Sequence, residues 1–169
     1  MILPDHEIAK LCRAGMITPF DAYLINPASL DVRLGDHIMI ELEGHQDLRP
    51  ADIINHTKEN PYLLYPDEFI LAQTLEVFNT PDTVSGQFAL KSSLARSGFE
   101  HLLAGWIDPG FNNSVLTLEL KNARKHQPLP LWPGMRIGQI IFMQMASTPD
   151  VSYRDSGRYN NDLTVTQCK

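Results

Sequence analysis

Cysteine is nearly absent: Cys12 and Cys168 are the only two in 169 residues. They lie far apart and match no metal-ligand spacing. Two cysteines in a chain this long exclude a disulfide framework and suit a reducing cytoplasm. No apolar run approaches the roughly 20 residues needed to cross a bilayer, so no membrane partner is expected. The opening stretch MILPDHEIAKLCRAG has acids and no long apolar block, so it is not expected to be a signal peptide. A basic surface is lacking too. The net charge of -6 argues against a nucleic-acid polymer as partner. It leaves room for a small anion held by a few local cations and backbone N–H groups.

Several catalytic signatures are missing as well. There is no G-x-S-x-G and no G-x-G-x-x-G. The H-x-E…P-C-x-x-C pattern of zinc deaminases is absent. The six histidines (His6, His37, His45, His56, His101 and His126) show no metal-ligand pairing, so no protein-bound metal, zinc included, is expected.

Helix signals are scarce. Residues 4–15, PDHEIAKLCRAG, predict one short helix, with Pro4 and Asp5 at its start and Gly15 at its end. Ile8, Leu11 and Cys12 form its apolar stripe. Short alternating strands follow at 29–35, 37–44, 68–79, 83–91, 114–122 and 136–145. In the first, Leu30, Val32 and Leu34 face one way, Asp31 and Arg33 the other. Twelve Pro and ten Gly are spread between the strands, with no linker, repeat or low-complexity tract. One all-β domain over 1–169 is expected, a barrel or sandwich, with a polar C-terminal tail over 150–169 that orders only against a ligand or another subunit.

Four places could carry chemistry, and the pattern leaves each with a plainer alternative. In VLTLEL, Glu119 shares a face with Val115 and Thr117. It is either a solvated strand acid or a carboxylate in a partly dry pocket, with raised proton affinity, able to move protons. Asp108 opens Asp108-Pro109-Gly110, which is ordinary turn chemistry or a ligand-facing acid. In Lys91-Ser92-Ser93-Leu94-Ala95-Arg96, a serine could cap a short helix. The cations and hydroxyls there could also cradle phosphate. Tyr153, Arg158 and Tyr159 are solvated tail residues or a closure over a nucleotide.

Taken together, the segments MILPDHEIAKL, NPASLDVRLG, KSSLARSGF, AGWIDPGF, LTLEL, PGMRIGQIIF and the tail GRY resemble the dCTP deaminases of the trimeric dUTPase superfamily, bifunctional members included. The resemblance implies a distorted β-barrel with a short N-terminal helix, and a homotrimer with active sites between subunits. It implies zinc-independent deamination of dCTP to dUTP and ammonia in the cytoplasm. The alternatives are a bifunctional dCTP deaminase and dUTP diphosphatase, or a non-catalytic nucleotide-binding regulatory module. By resemblance, Glu119 is the general base and acid, Ser92 holds the attacking water, and the backbone of Ala104 helps place it. Lys91, Ser93 and Arg96 are triphosphate contacts from the neighbouring subunit. Asp108 binds the deoxyribose 3′-hydroxyl, Phe111 packs on the sugar, and Tyr153 and Arg158 reach the phosphates. Mg²⁺ enters with the triphosphate. Trp106 stands where purely deaminating enzymes carry Arg and bifunctional ones an aromatic. Two departures stand out. One extra residue separates Asp108 from Glu119, which a loop or bulge near Asn112-Asn113 must absorb because a one-residue slip flips a strand. Asp162 lies where an acid would repel a triphosphate.

Overall fold

A computed structural model describes residues 1–169. Helix α1 runs Asp5–Arg13. Asp5 and Glu7 in its first turn and Lys10 and Arg13 in its last complement the helix dipole. Ile8 and Cys12 are buried, with Leu11 half-buried beside them. Gly15, at φ +98°, turns the chain out of the helix.

Twelve strands follow the sequence order β1 (Ile17–Thr18), β2 (Ile25–Asn26), β3 (Ser29–Ile40), β4 (Arg49–Asp52), β5 (Tyr62–Leu64), β6 (Phe69–Asn79), β7 (Val84–Leu90), β8 (Phe99–His101), β9 (Trp106–Ile107), β10 (Asn112–Asn122), β11 (Leu129–Leu131) and β12 (Arg136–Gln144). Two short helices, α2 (Ser92–Ser97) and α3 (Tyr153–Ser156), complete the chain. No helix is long and apolar enough to cross a membrane.

The main sheet is antiparallel, in the order β8-β10-β6-β3-β12-β7-β9, and β5 pairs with β11 separately. Its end strands β8 and β9 are consecutive in the chain, joined by residues 102–105 alone. That short link forces the two edges toward each other and curls the sheet into a half-barrel. The Phe88 N–H donates to the Gly105 carbonyl at 2.7 Å and ties the link to β7. Leu30, Leu34, Ile38, Ile70, Phe78 and Leu118 are among the side chains that fill the interior. Burying each contributes roughly 1.5–3 kcal/mol.

Two details go beyond the sequence pattern. The segments expected as separate strands at 29–35 and 37–44 form the single strand β3. Gly35 continues it because a side chain there would meet Cγ of Gln73, 2.7 Å from an ideal Cβ. The second detail, on which the alternation is silent, is that the face carrying Asp31 and Arg33 is largely withdrawn from solvent. β6 and β12 pair with the two edges of β3, and its side chains on both faces are largely buried. Asp31 is buried and paired with Lys91 Nζ at 2.6 Å. Arg33 Nε donates to buried Glu76 at 2.7 Å.

Candidate active site

Strand β10 builds the site. Leu116, Leu118 and Leu120 point into the core, which turns Thr117 and Glu119 to the opposite face, as the alternation predicts. The extra residue upstream is absorbed where expected. Pairing with β6 shifts between Asn112 and Ser114, and Asn113 takes the left-handed φ of +48°. A second irregularity follows between Val115 and Thr117, where the Leu116 N–H donates to Thr74 Oγ1 at 2.9 Å. Regular pairing then resumes, with Glu119 opposite Leu71.

The Glu119 face opens on a cavity of about 730 Å³. Of the sequence-derived site residues, Ala104, Asp108, Phe111, Glu119 and Tyr153 line it. The Glu119 side chain keeps 23% of its surface exposed, yet its Oε2 is buried with no hydrogen-bond partner. Nε2 of His101, itself buried, stands 3.2 Å away and is likewise unbonded. Close approach without hydrogen-bond alignment leaves both atoms with capacity for a further partner.

Asp108 begins a turn closed by the Phe111 N–H donating to its carbonyl at 3.1 Å. Gly110 holds φ +87° there, and a Cβ would strike Ser152 Oγ. The turn delivers Phe111 beside Tyr153, with ring centroids 6.0 Å apart, to make an aromatic wall.

The tail completes the enclosure. It docks on its own chain. Asn160 Oδ1 accepts from the Asn112 N–H at 2.9 Å, and Asn161 Oδ1 from Asn113 Nδ2 at 3.0 Å. The Val115 N–H donates to the Asp162 carbonyl at 2.9 Å, and the Val165 N–H to Gln73 Oε1 at 2.7 Å. Thr166, Gln167 and Cys168 thereby become cavity wall. Asp162 also lines the cavity, but Lys169 Nζ pairs with its carboxylate at 2.7 Å and offsets its charge.

The remaining candidates lie elsewhere. Ser92, Ser93 and Arg96 are exposed on α2 and line no part of this cavity. Neither serine caps α2; Lys91 occupies the cap position and no side chain bonds there. Lys91 is held by Asp31. Arg158 is exposed and donates to the Lys169 carbonyl at 3.0 Å. No three His, Cys, Asp or Glu side chains group together as a metal site. Sequence reasoning missed His101. A lone histidine carries no spacing signal, and only the pairing of β8 with β10, Leu120 opposite His101, brings it to Glu119.

A family model described as dCTP deaminase-like matches residues 2–145. A protein named dCTP deaminase, dUMP-forming, from Mycobacterium marinum is 38% identical over 169 residues, covering 93% of this chain and 87% of that protein. One of the same name from Salinispora arenicola is 41% identical over 164 residues, covering 90% and 84%. Among solved structures, 2′-deoxycytidine 5′-triphosphate deaminase from Agrobacterium tumefaciens superposes with a TM-score of 0.67 at 21% identity. That likeness concerns the fold; it covers 83% of this chain and 46% of the longer one.

Proposed function

The chain belongs to the dCTP deaminase-like family, and on that premise we propose that it converts dCTP to dUMP, releasing ammonia and diphosphate. The expectation that the reaction ends at dUTP is corrected by the product carried in the relatives' names, dUMP-forming. The single observation behind the assignment of the site is the gathering of Glu119, Asp108, Phe111 and Ala104 around one cavity. Ala104, Asp108 and Phe111 flank β9 and Glu119 comes from β10, and each has a distinct task in the proposed chemistry.

Deamination needs water to add at C4 of cytosine while protons move to the ring and the leaving nitrogen. In this reading Glu119 takes a proton from the water as its oxygen bonds to C4, and passes it to N3. A second transfer through Glu119 protonates the amino nitrogen, the C4–N bond breaks, and ammonia leaves uracil behind. With Oε2 buried toward His101, the part of the Glu119 side chain that stays open lines the cavity, where a base must meet water. The backbone at Ala104 would help hold that water, with Ser92, and so lower the orientational cost. Phe111 would pack on the deoxyribose and Asp108 accept its 3′-hydroxyl. A second water then attacks the α-phosphorus, breaking its bond to the bridging oxygen of the diphosphate. Mg²⁺ brought by the triphosphate would offset phosphate charge, with Tyr153 and Arg158 closing from the tail.

We further propose a homotrimer in the cytoplasm. The position of α2 supports the shared site: Ser92, Ser93 and Arg96 are exposed and line no part of this chain's own cavity. They can serve a nucleotide only across a contact with another copy, as can Lys91 if it leaves Asp31.

The test is incubation of pure protein with dCTP and Mg²⁺, following ammonia and diphosphate together. Equimolar release of both, with dUMP as the nucleotide product, is the expected result. Tight binding with no product would mean a regulatory module instead.

A further inference from the structure

Within the segment Trp106-Ile107-Asp108, the middle residue is fully buried, which anchors the strand. Residues i and i+2 on extended backbone share a face. Trp106 and Asp108 therefore share the face opposite Ile107, and both border the cavity, whose wall Ile107 also joins. The Trp106 indole Nε1 donates to Asp108 Oδ1 at 3.1 Å. Oδ2 of the same carboxylate has no hydrogen-bond or ion-pair partner within the chain.

An indole nitrogen can only donate, and it carries no charge. It therefore fixes one carboxylate oxygen without discharging the group, as a lysine or arginine at this distance would. From this geometry we infer that Trp106 is a positioning residue for sugar recognition: it clamps Asp108 through Oδ1 so that Oδ2, still anionic, is kept for a hydroxyl of the substrate's sugar. The inference rests on the proposed role of Asp108 as acceptor of the 3′-hydroxyl. It adds that the selectivity for that hydroxyl depends on a residue that does not touch it. A clamped acceptor keeps its preference for a donor, because a ligand without the hydroxyl leaves a desolvated carboxylate oxygen unpaired. An acceptor free to rotate can turn back to water and loses that preference.

The experiment uses full-length protein carrying Glu119→Gln to prevent turnover. Calorimetric titration with dCTP and with 2′,3′-dideoxycytidine triphosphate, both with Mg²⁺, measures the preference for the 3′-hydroxyl. The Glu119→Gln protein is expected to prefer dCTP by about tenfold or more. Adding Trp106→Phe, which keeps a ring but removes the N–H, should weaken dCTP about five- to tenfold and leave the dideoxy ligand within about twofold. Loss of only structural support would weaken both ligands alike, and that result, or no loss for either, overturns the inference. A cycle with Asp108→Ala guards against altered folding: in that background Trp106→Phe should have no effect on either ligand. If the Glu119→Gln protein itself ignores the 3′-hydroxyl, the role of Asp108 fails and the clamp with it. Ammonia release from dCTP by the unmutated protein would still stand as the separate measure of the deaminase reading.

Discussion

Nε2 of His101 lies 3.2 Å from Oε2 of Glu119, and neither atom makes a hydrogen bond. The imidazole is 5% exposed and sits against Phe88, ring centroids 4.6 Å apart. Packing against Phe88 thus holds it beside the carboxylate. The carboxylate is left oriented by its strand and free to bond a water. Glu119→Gln keeps the shape and removes the base. Ammonia release from dCTP should fall by about 10²–10⁴-fold, with nucleotide affinity changed by no more than severalfold. Turnover close to that of the parent would remove Glu119 from the chemistry.

The exposed α2 predicts complementation. Glu119→Gln and Arg96→Ala should each be nearly inactive alone. If sites form between copies, unfolding and refolding the two together should create some sites with both native residues. Random assortment gives about a quarter of the parental activity. No recovery, with mixed oligomers verified by mass, would place each site within one chain.

Much of the fold was legible because β periodicity and turn residues are local. The alternation Leu116, Leu118, Leu120 correctly turned Glu119 away from the core. Its spacing from Asp108 correctly called for a bulge, found at Asn113. What stayed hidden depends on pairing between distant segments. Nothing near Asp31 in sequence announces Lys91, 60 positions on, which makes its burial possible. His101 meets Glu119 only through the β8–β10 ladder. The tail's pattern is weak because many of its partners are backbone groups and amides of the bulge, such as Asn112 and Asn113, and its apolar contacts are few and irregularly spaced: Tyr153 and Tyr159 against the main core and Val165 against Met39 and Leu71.

Glu76 gives a pH signature of folding. Its side chain is 1% exposed, and burial pushes its pKa above the ordinary carboxylate value, against the opposing contacts of Arg33. A folded pKa above the unfolded one means that folding takes up a proton in the interval between them. This group's contribution to stability is therefore whole below the unfolded pKa and is lost as pH rises through the folded one. The melting temperature of Glu76→Gln, which cannot titrate, should gain on that of the parent as pH is raised from about 4 to about 7. Parallel curves would contradict the direction of the shift. Glu76→Ala, which strands Arg33, should cost on the order of 3 kcal/mol at neutral pH.

The two cysteines should differ sharply in reactivity, and one of them should report on the nucleotide. Cys12 is buried on α1, and burial pushes its thiol pKa up to about 12, so almost no thiolate forms at neutral pH. Cys168 is exposed and lines the cavity from the tail. A chromogenic thiol reagent should titrate one cysteine in the native protein and both in denaturant. Cys168→Ser should abolish the native reaction and leave the slow one. Because Thr166, Gln167 and Cys168 share the cavity wall with Asp108 and Glu119, dCTP with Mg²⁺ should slow labelling of Cys168 severalfold in Glu119→Gln protein. The rate for Cys12 in partial denaturant should respond only to stability. An unchanged rate at Cys168 under saturating nucleotide would show that the tail does not border the occupied site.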